Sequence, residues 1–248
     1  MKRSIIAITL FLAGLAWPVV ASASHSWGGY HWARTSNPFN LKLGDNLSSS
    51  WKPYLGTTST DWSVSDVLDT TIVLGQSKGN CRPTAGRVEV CNKTYGSNGW
   101  LGMAQIWISG THITQGAVKA NDTYFDTATY NTPAWKNLVM CQEVGHTLGL
   151  DHQDTNFSNT PLGTCMDYTS DPALNQHPNQ HDYDQLGLIY AYLDGFTTVG
   201  QTLPPKTKGD FENQSEWGKK VKSQGKTAVF ERDLGRGDKL FTFVIFAE

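Results

Sequence analysis

Three features of the 248-residue sequence predict an α+β fold. Residues 28–132 are short strand-like runs punctuated by Gly, Asn, Ser and Thr clusters. A long helical period opens at Pro133, and a second opens near Asp182. Composition fits this reading, because 11% aromatic and 17% charged residues exclude a disordered chain or a coiled coil. The formal net charge of −2 gives no reason to expect nucleic acid as a partner. No internal apolar run reaches the roughly 18 residues that a membrane span needs.

In chain order, the first element is an address rather than part of the fold. Lys2 and Arg3, the apolar run from Ile5 to Leu15, and Ala21-Ser22-Ala23 supply the basic, apolar and A-x-A parts of a secretory signal peptide. Residues 1–23 are expected to be removed, which places the mature chain outside the cell or in a periplasm, where disulfides persist. Asn40-Leu41-Lys42-Leu43 and Gly102 to Ile108 alternate as strands do. Trp62 to Leu74 reads as a helix start capped by Ser63 or Ser65 that gives way to a strand at Thr70-Thr71-Ile72-Val73.

Cys81 and Cys91 flank the turn-like Pro83-Thr84-Ala85-Gly86 and the strand-like Arg87 to Val90, so a local hairpin disulfide is the simplest pairing. Cys141 and Cys165 then remain as a pair, although four cysteines allow three connectivities. The absence of any C-x-x-C spacing argues against a cysteine-ligated metal.

The clearest helix runs from Pro133 to Leu150, with Thr132 as N-cap, Pro133 in the first turn, and Gly149 as a helix-ending residue. A second helix is expected over Asp182 to Leu193, with acids in its first turn. Residues 24–199 carry 9 basic and 15 acidic side chains, and form the expected main domain. Residues 200–248 carry 9 basic and 7 acidic ones and read as a linker followed by a β-hairpin. A mildly basic tail can dock on an acidic body or stand solvated. Arg236-Gly237-Asp238 reads as turn chemistry rather than as an adhesion signal.

The chemistry is concentrated in Gln142-Glu143-Val144-Gly145-His146-Thr147-Leu148-Gly149-Leu150-Asp151-His152. On a helix, positions 142 and 146 share one face. Gly149 lets the chain turn so that His152 swings back toward them. Two imidazoles, one amide and the carboxylate of Glu143 are the donor set and base of a zinc hydrolase.

This segment resembles the metzincin metallopeptidases, whose pattern is H-E-x-x-H-x-x-G-x-x-H followed by a Met-turn. Every position matches except the first, where Gln142 replaces histidine. Gly163-Thr164-Cys165-Met166-Asp167-Tyr168 looks like the Met-turn, and the matrixin-like branch is the nearest match, over about residues 133–195. The resemblance implies a twisted mixed sheet with an active-site helix, a Met-turn and a C-terminal helix, with the β-hairpin tail outside it. It implies a secreted zinc-dependent endopeptidase, a monomer acting on protein or peptide substrates. Zinc would be held by His146, His152 and the carbonyl oxygen of Gln142, a poorer donor than imidazole. Glu143 would be the base and Met166 the floor of the site. A Met-turn under the metal would also bring Cys141 and Cys165 close, so that a disulfide there would stiffen the ligand set. The alternative is a catalytically weak or inactive pseudo-peptidase that serves as a secreted binding module. His177 and His181 read as a polar loop and a helix N-terminus. His25, His31 and His112 have no partner in sequence.

Overall fold

The computed structural model describes residues 24–77, 79–154, 156–202 and 211–247. The expected signal segment, 1–23, and most of the expected linker, 203–210, lie outside the described residues. The elements are β1 (His31–Trp32), β2 (Phe39–Asn46), α1 (Lys52–Trp62), β3 (Leu68–Leu74), β4 (Val88–Lys93), β5 (Trp100–Ser109) and β6 (His112–Asn121). They continue with α2 (Asp122–Phe125), α3 (Pro133–Thr147), α4 (Gln180–Ile189), β7 (Lys219–Gln224), β8 (Thr227–Gly235) and β9 (Asp238–Phe246).

The architecture is α+β. Among the described residues nine strands form one mixed sheet in the order β3-β2-β4-β6-β5-β9-β8-β7, with β1 paired to β6. The pairs β2/β3, β2/β4, β4/β6 and β1/β6 are parallel. From β5 onward every pairing is antiparallel. Among the described residues no helix is long and apolar enough to cross a membrane.

Strand β5 shows why the layers form. Ala104, Ile106 and Ile108 enter one core with α3, while Met103 and Trp107 enter a second core with Trp217, Phe230 and Leu240. A period of two therefore serves both faces, and the whole strand from Trp100 to Ile108 is buried. Strand β9 alternates in the same way: Phe241, Phe243 and Ile245 face the α3 core, and Leu240 and Val244 face the other.

The structure shifts several sequence-based elements. The helix expected to begin at Trp62 instead ends there, because α1 starts at Lys52 with Pro53 in its first turn. Its Ser/Thr-rich composition hides it. Helix α4 begins earlier than expected, at Gln180. Its N-cap is Asn179, whose side chain accepts from the His181 and Asp182 amides while Asp182 bonds back, closing a capping box. The expected C-terminal hairpin is β8–β9, joined by Gly235-Arg236-Gly237 with φ of 81°, 58° and 80°. Two features were not expected: β7 is added outside it, and β9 runs along β5, so residues 219–246 continue the main sheet.

Candidate functional site

Helix α3 carries the motif and is a core helix. Thr132 caps it by accepting from the Trp135 amide, and every residue from Leu138 to Thr147 is buried. Burial on all sides is what a helix shows when sheet, second helix and turn enclose it. The chain leaves α3 through Gly149 at φ 96°, where a Cβ would lie 2.3 Å from the Tyr30 carbonyl oxygen. No other residue fits that turn at so little cost. Gly145 has a different task. A Cβ there would meet Met166 Sδ at 2.5 Å and the Trp62 ring at 2.7 Å, so the missing side chain lets the turn at 163–168 press against the helix.

Two disulfides are formed, Cys81–Cys91 and Cys141–Cys165. The second joins α3 to the turn carrying Met166. It also holds the Cys165 carbonyl oxygen where Gln142 Nε2 donates to it at 2.8 Å. That bond orients the amide and leaves Gln142 Oε1 buried without a hydrogen-bond partner. The Gln153 amide donates to the Met166 carbonyl at 2.6 Å, tying the returning loop to the same turn.

The loop brings His152 back to His146, with ring centroids 4.5 Å apart at 69°. His146 Nδ1 lies 2.9 Å from the Leu150 carbonyl oxygen, which makes Nδ1 the protonated nitrogen and leaves the Nε2 lone pair available. His152 Nδ1 faces Asp151 Oδ1 at 3.5 Å, and its Nε2 has no hydrogen-bond partner. Burial holds His146 well below the ordinary histidine range, and the neighbouring His152 adds to this. Burial likewise lowers His152. Both are therefore neutral imidazoles at pH 7, the form that ligates metals. Glu143 is wholly buried, its Oε2 has no partner, and burial pushes its carboxyl well above the ordinary range. A Cβ on Gly102 would lie 3.1 Å from Glu143 Oε1 and 3.3 Å from Ile245 Cγ2, which puts the acid beside β5 and β9.

A buried amide oxygen, two neutral imidazoles and a buried acid, several of them unpartnered, suit a bound cation better than a closed apolar core. The donor set thus fits zinc in chemical type.

The C-terminal strands cover this site. Phe243 of β9 stacks on His146 with centroids 4.4 Å apart and rings 12° from parallel. Lys222 of β7 pairs with Asp151 at 2.6 Å. Burial raises the Asp151 carboxyl, but hydrogen bonds and charge from His152 and Lys222 overcome this and leave it far below its usual value. The basic tail does dock on the acidic body here, and His146 is left 1% exposed and His152 6%.

Of the remaining histidines, His177 pairs with Asp61 at 2.7 Å. The three histidines without sequence partners do acquire them. His31 and His112 are register neighbours across β1 and β6 and meet Asp194, at 3.5 and 3.1 Å. His25 meets His181 and Asp182. Separations of 81 to 163 positions hid these groupings. Only the topology brings them together.

No family model matches this chain, and no curated protein matches it in sequence. Among solved structures it is similar to High choriolytic enzyme 1, a hatching-enzyme zinc-protease from Oryzias latipes (medaka fish). The identity is 11% and the TM-score 0.35, over 65% of this chain and 94% of that one.

Proposed function

We propose that the chain is a secreted zinc-dependent endopeptidase of metzincin type, on the matrixin-like side. His146, His152 and Gln142 Oε1 hold the metal, Glu143 is the general base and Met166 supports the site from below. The observation that carries this reading is the set of buried, unpartnered ligand-type atoms on Gln142 and His152, next to a His146 ring whose Nε2 is left available. The two formed disulfides accord with an exported protein.

Zinc, when bound, supplies a Lewis acid that polarises a peptide carbonyl and acidifies water. The chain's own residues do the rest. The Leu150 carbonyl fixes the tautomer of His146, and the Cys165 carbonyl turns the Gln142 oxygen outward from its own bond. Glu143 accepts the proton of the attacking water at Oε2 as the new C–O bond forms. It returns that proton to the amide nitrogen as the C–N bond breaks.

A second reading is favoured by Phe243 on His146. With the site covered by β9, the folded chain serves as a binding module, or is latent until the strands shift. Casein hydrolysis at neutral pH by the zinc-loaded protein tests the two. The peptidase reading expects cleavage that chelation and Glu143→Gln each abolish, and that rises in Phe243→Ala. Absence of cleavage by both wild type and Phe243→Ala, with zinc bound, supports the binding module.

A further inference from the structure

His25, His181 and Asp182 lie apart from the residues just described, and their ligand atoms all fall within 4.8 Å of one another. His25 is 4% exposed and Asp182 is fully buried. His25 Nε2 and Asp182 Oδ1 face each other at 3.5 Å, yet neither makes a hydrogen bond. The other polar atoms of both groups are committed. His25 Nδ1 lies 3.0 Å from the Asp151 carbonyl oxygen, so the proton sits on Nδ1 and the lone pair on Nε2. Asp182 Oδ2 accepts from the Thr164 hydroxyl and, at 2.8 Å, from the Asn179 amide. Two buried acceptor atoms thus face each other beside a partly exposed His181. The His181 ring stacks beside His25 at 4.9 Å, 17° from parallel.

Opposed acceptors in a buried site need a proton or a metal cation between them. Two donors held about 2.0–2.1 Å from a tetrahedral zinc stand about 3.4 Å apart, which matches the spacing of His25 Nε2 and Asp182 Oδ1. Both are held by outer partners, as metal ligands are: a backbone carbonyl on the imidazole, a hydroxyl and an amide on the carboxylate.

We propose that His25, His181 and Asp182 form a second divalent-metal site of the zinc class, with a structural role. Bound metal would pin the residue-25 segment to the first turn of α4. The consequence reaches further, because the Asp151 amide also donates to the His25 carbonyl at 2.6 Å. Asp151 flanks His152, so this metal would brace the loop that returns to α3.

The test is zinc stoichiometry of the purified mature protein by calorimetric titration with zinc alone, in wild type, His146→Ala/His152→Ala, and Asp182→Asn. Two zinc ions per chain are expected in wild type and one in each variant. The double variant isolates the second site, so its retained zinc is independent of the peptidase reading. If the double variant binds none, or Asp182→Asn still binds two, the proposal fails. If only the Asp182→Asn protein lacks zinc altogether, it is the proposed site on α3 that fails. His181→Ala, at a partly exposed position, repeats the test should Asp182→Asn not fold, and it too is expected to lose one zinc. Histidine ring NMR of wild type provides a separate readout: a zinc-dependent shift of His25 Nε2 is expected, and an unmoved signal overturns the assignment.

Discussion

Gln142 Nε2 donates to the Cys165 carbonyl oxygen at 2.8 Å, and the residue that accepts is itself disulfide-bonded to Cys141, the neighbour of Gln142. Helix, disulfide and turn thereby form a short closed circuit that orients one side-chain amide. Its Oε1 is the only polar atom of that amide left without a partner. Glutamine uses its nitrogen as His146 uses Nδ1, on a backbone carbonyl, and leaves an acceptor atom unused.

Breaking that circuit should cost both stability and metal affinity. The Cys141→Ser/Cys165→Ser protein should lose about 2–4 kcal/mol in urea unfolding, the range for a loop of this size. Its zinc affinity at the α3 site should fall by roughly 10–100-fold, as when an outer partner of a ligand is removed. An unchanged affinity in the folded variant would show that the Cys165 carbonyl does not position Gln142.

Phe243 does two things at once, filling core volume and covering His146. Phe243→Ala should destabilise the protein by about 3–5 kcal/mol through loss of buried apolar contact. The same change should speed zinc exchange with a chelator. Slower or equal exchange would mean that the ring does not gate access.

Glu143 is a buried acid with an unpartnered oxygen, so the metal-free fold bears its desolvation cost. Glu143→Gln should raise the stability of metal-free protein at neutral pH by about 1–3 kcal/mol, read from the urea midpoint. A decrease would mean that the carboxyl has a stabilising partner.

Asp194 supplies a pH test far from α3. Partial burial raises its carboxyl, but the Arg34 amide and hydrogen bonds from His112 and His31 outweigh this and hold it below the ordinary range. A depressed acid is protonated first in the unfolded chain. Its stabilisation is therefore complete above the unfolded value, about 3.9, and is lost as pH falls through the folded one. Asp194→Asn should be less stable than wild type at pH 7, and the difference should shrink below about pH 4. A constant difference would remove the ionised carboxyl from the explanation.

Much of this could be read from residue order, and the exceptions have physical causes. Helix α3, its Thr132 cap and its Gly149 exit are local signals, set by period and by backbone chemistry within a few residues. The Cys81–Cys91 pairing is the simplest local reading, although β4 pairs with β2 and β6 rather than in the expected hairpin, and Cys141–Cys165 follows from sequence only as one of three connectivities. Helix α1 was misplaced because Thr57 to Thr60 look like a turn in isolation, whereas in the fold Thr58 and Ser59 are buried. The cover over His146 was invisible because β9 lies nearly 100 positions from α3 and reaches it only by pairing with β5. His25, His31 and His112 had no local partner for the same reason, since each meets its acid through tertiary contact alone.

The central claim is that Gln142 Oε1 is the third donor at the α3 site, and zinc affinity of Gln142→His in a His181→Ala background tests it most directly. That background removes a ligand of the second site and leaves one zinc to titrate. Imidazole is the stronger donor, so the variant should bind zinc at least about tenfold more tightly, about 1.4 kcal/mol. An affinity equal to that of the Gln142 protein, in a variant that folds, would contradict the account by showing that position 142 does not face the metal.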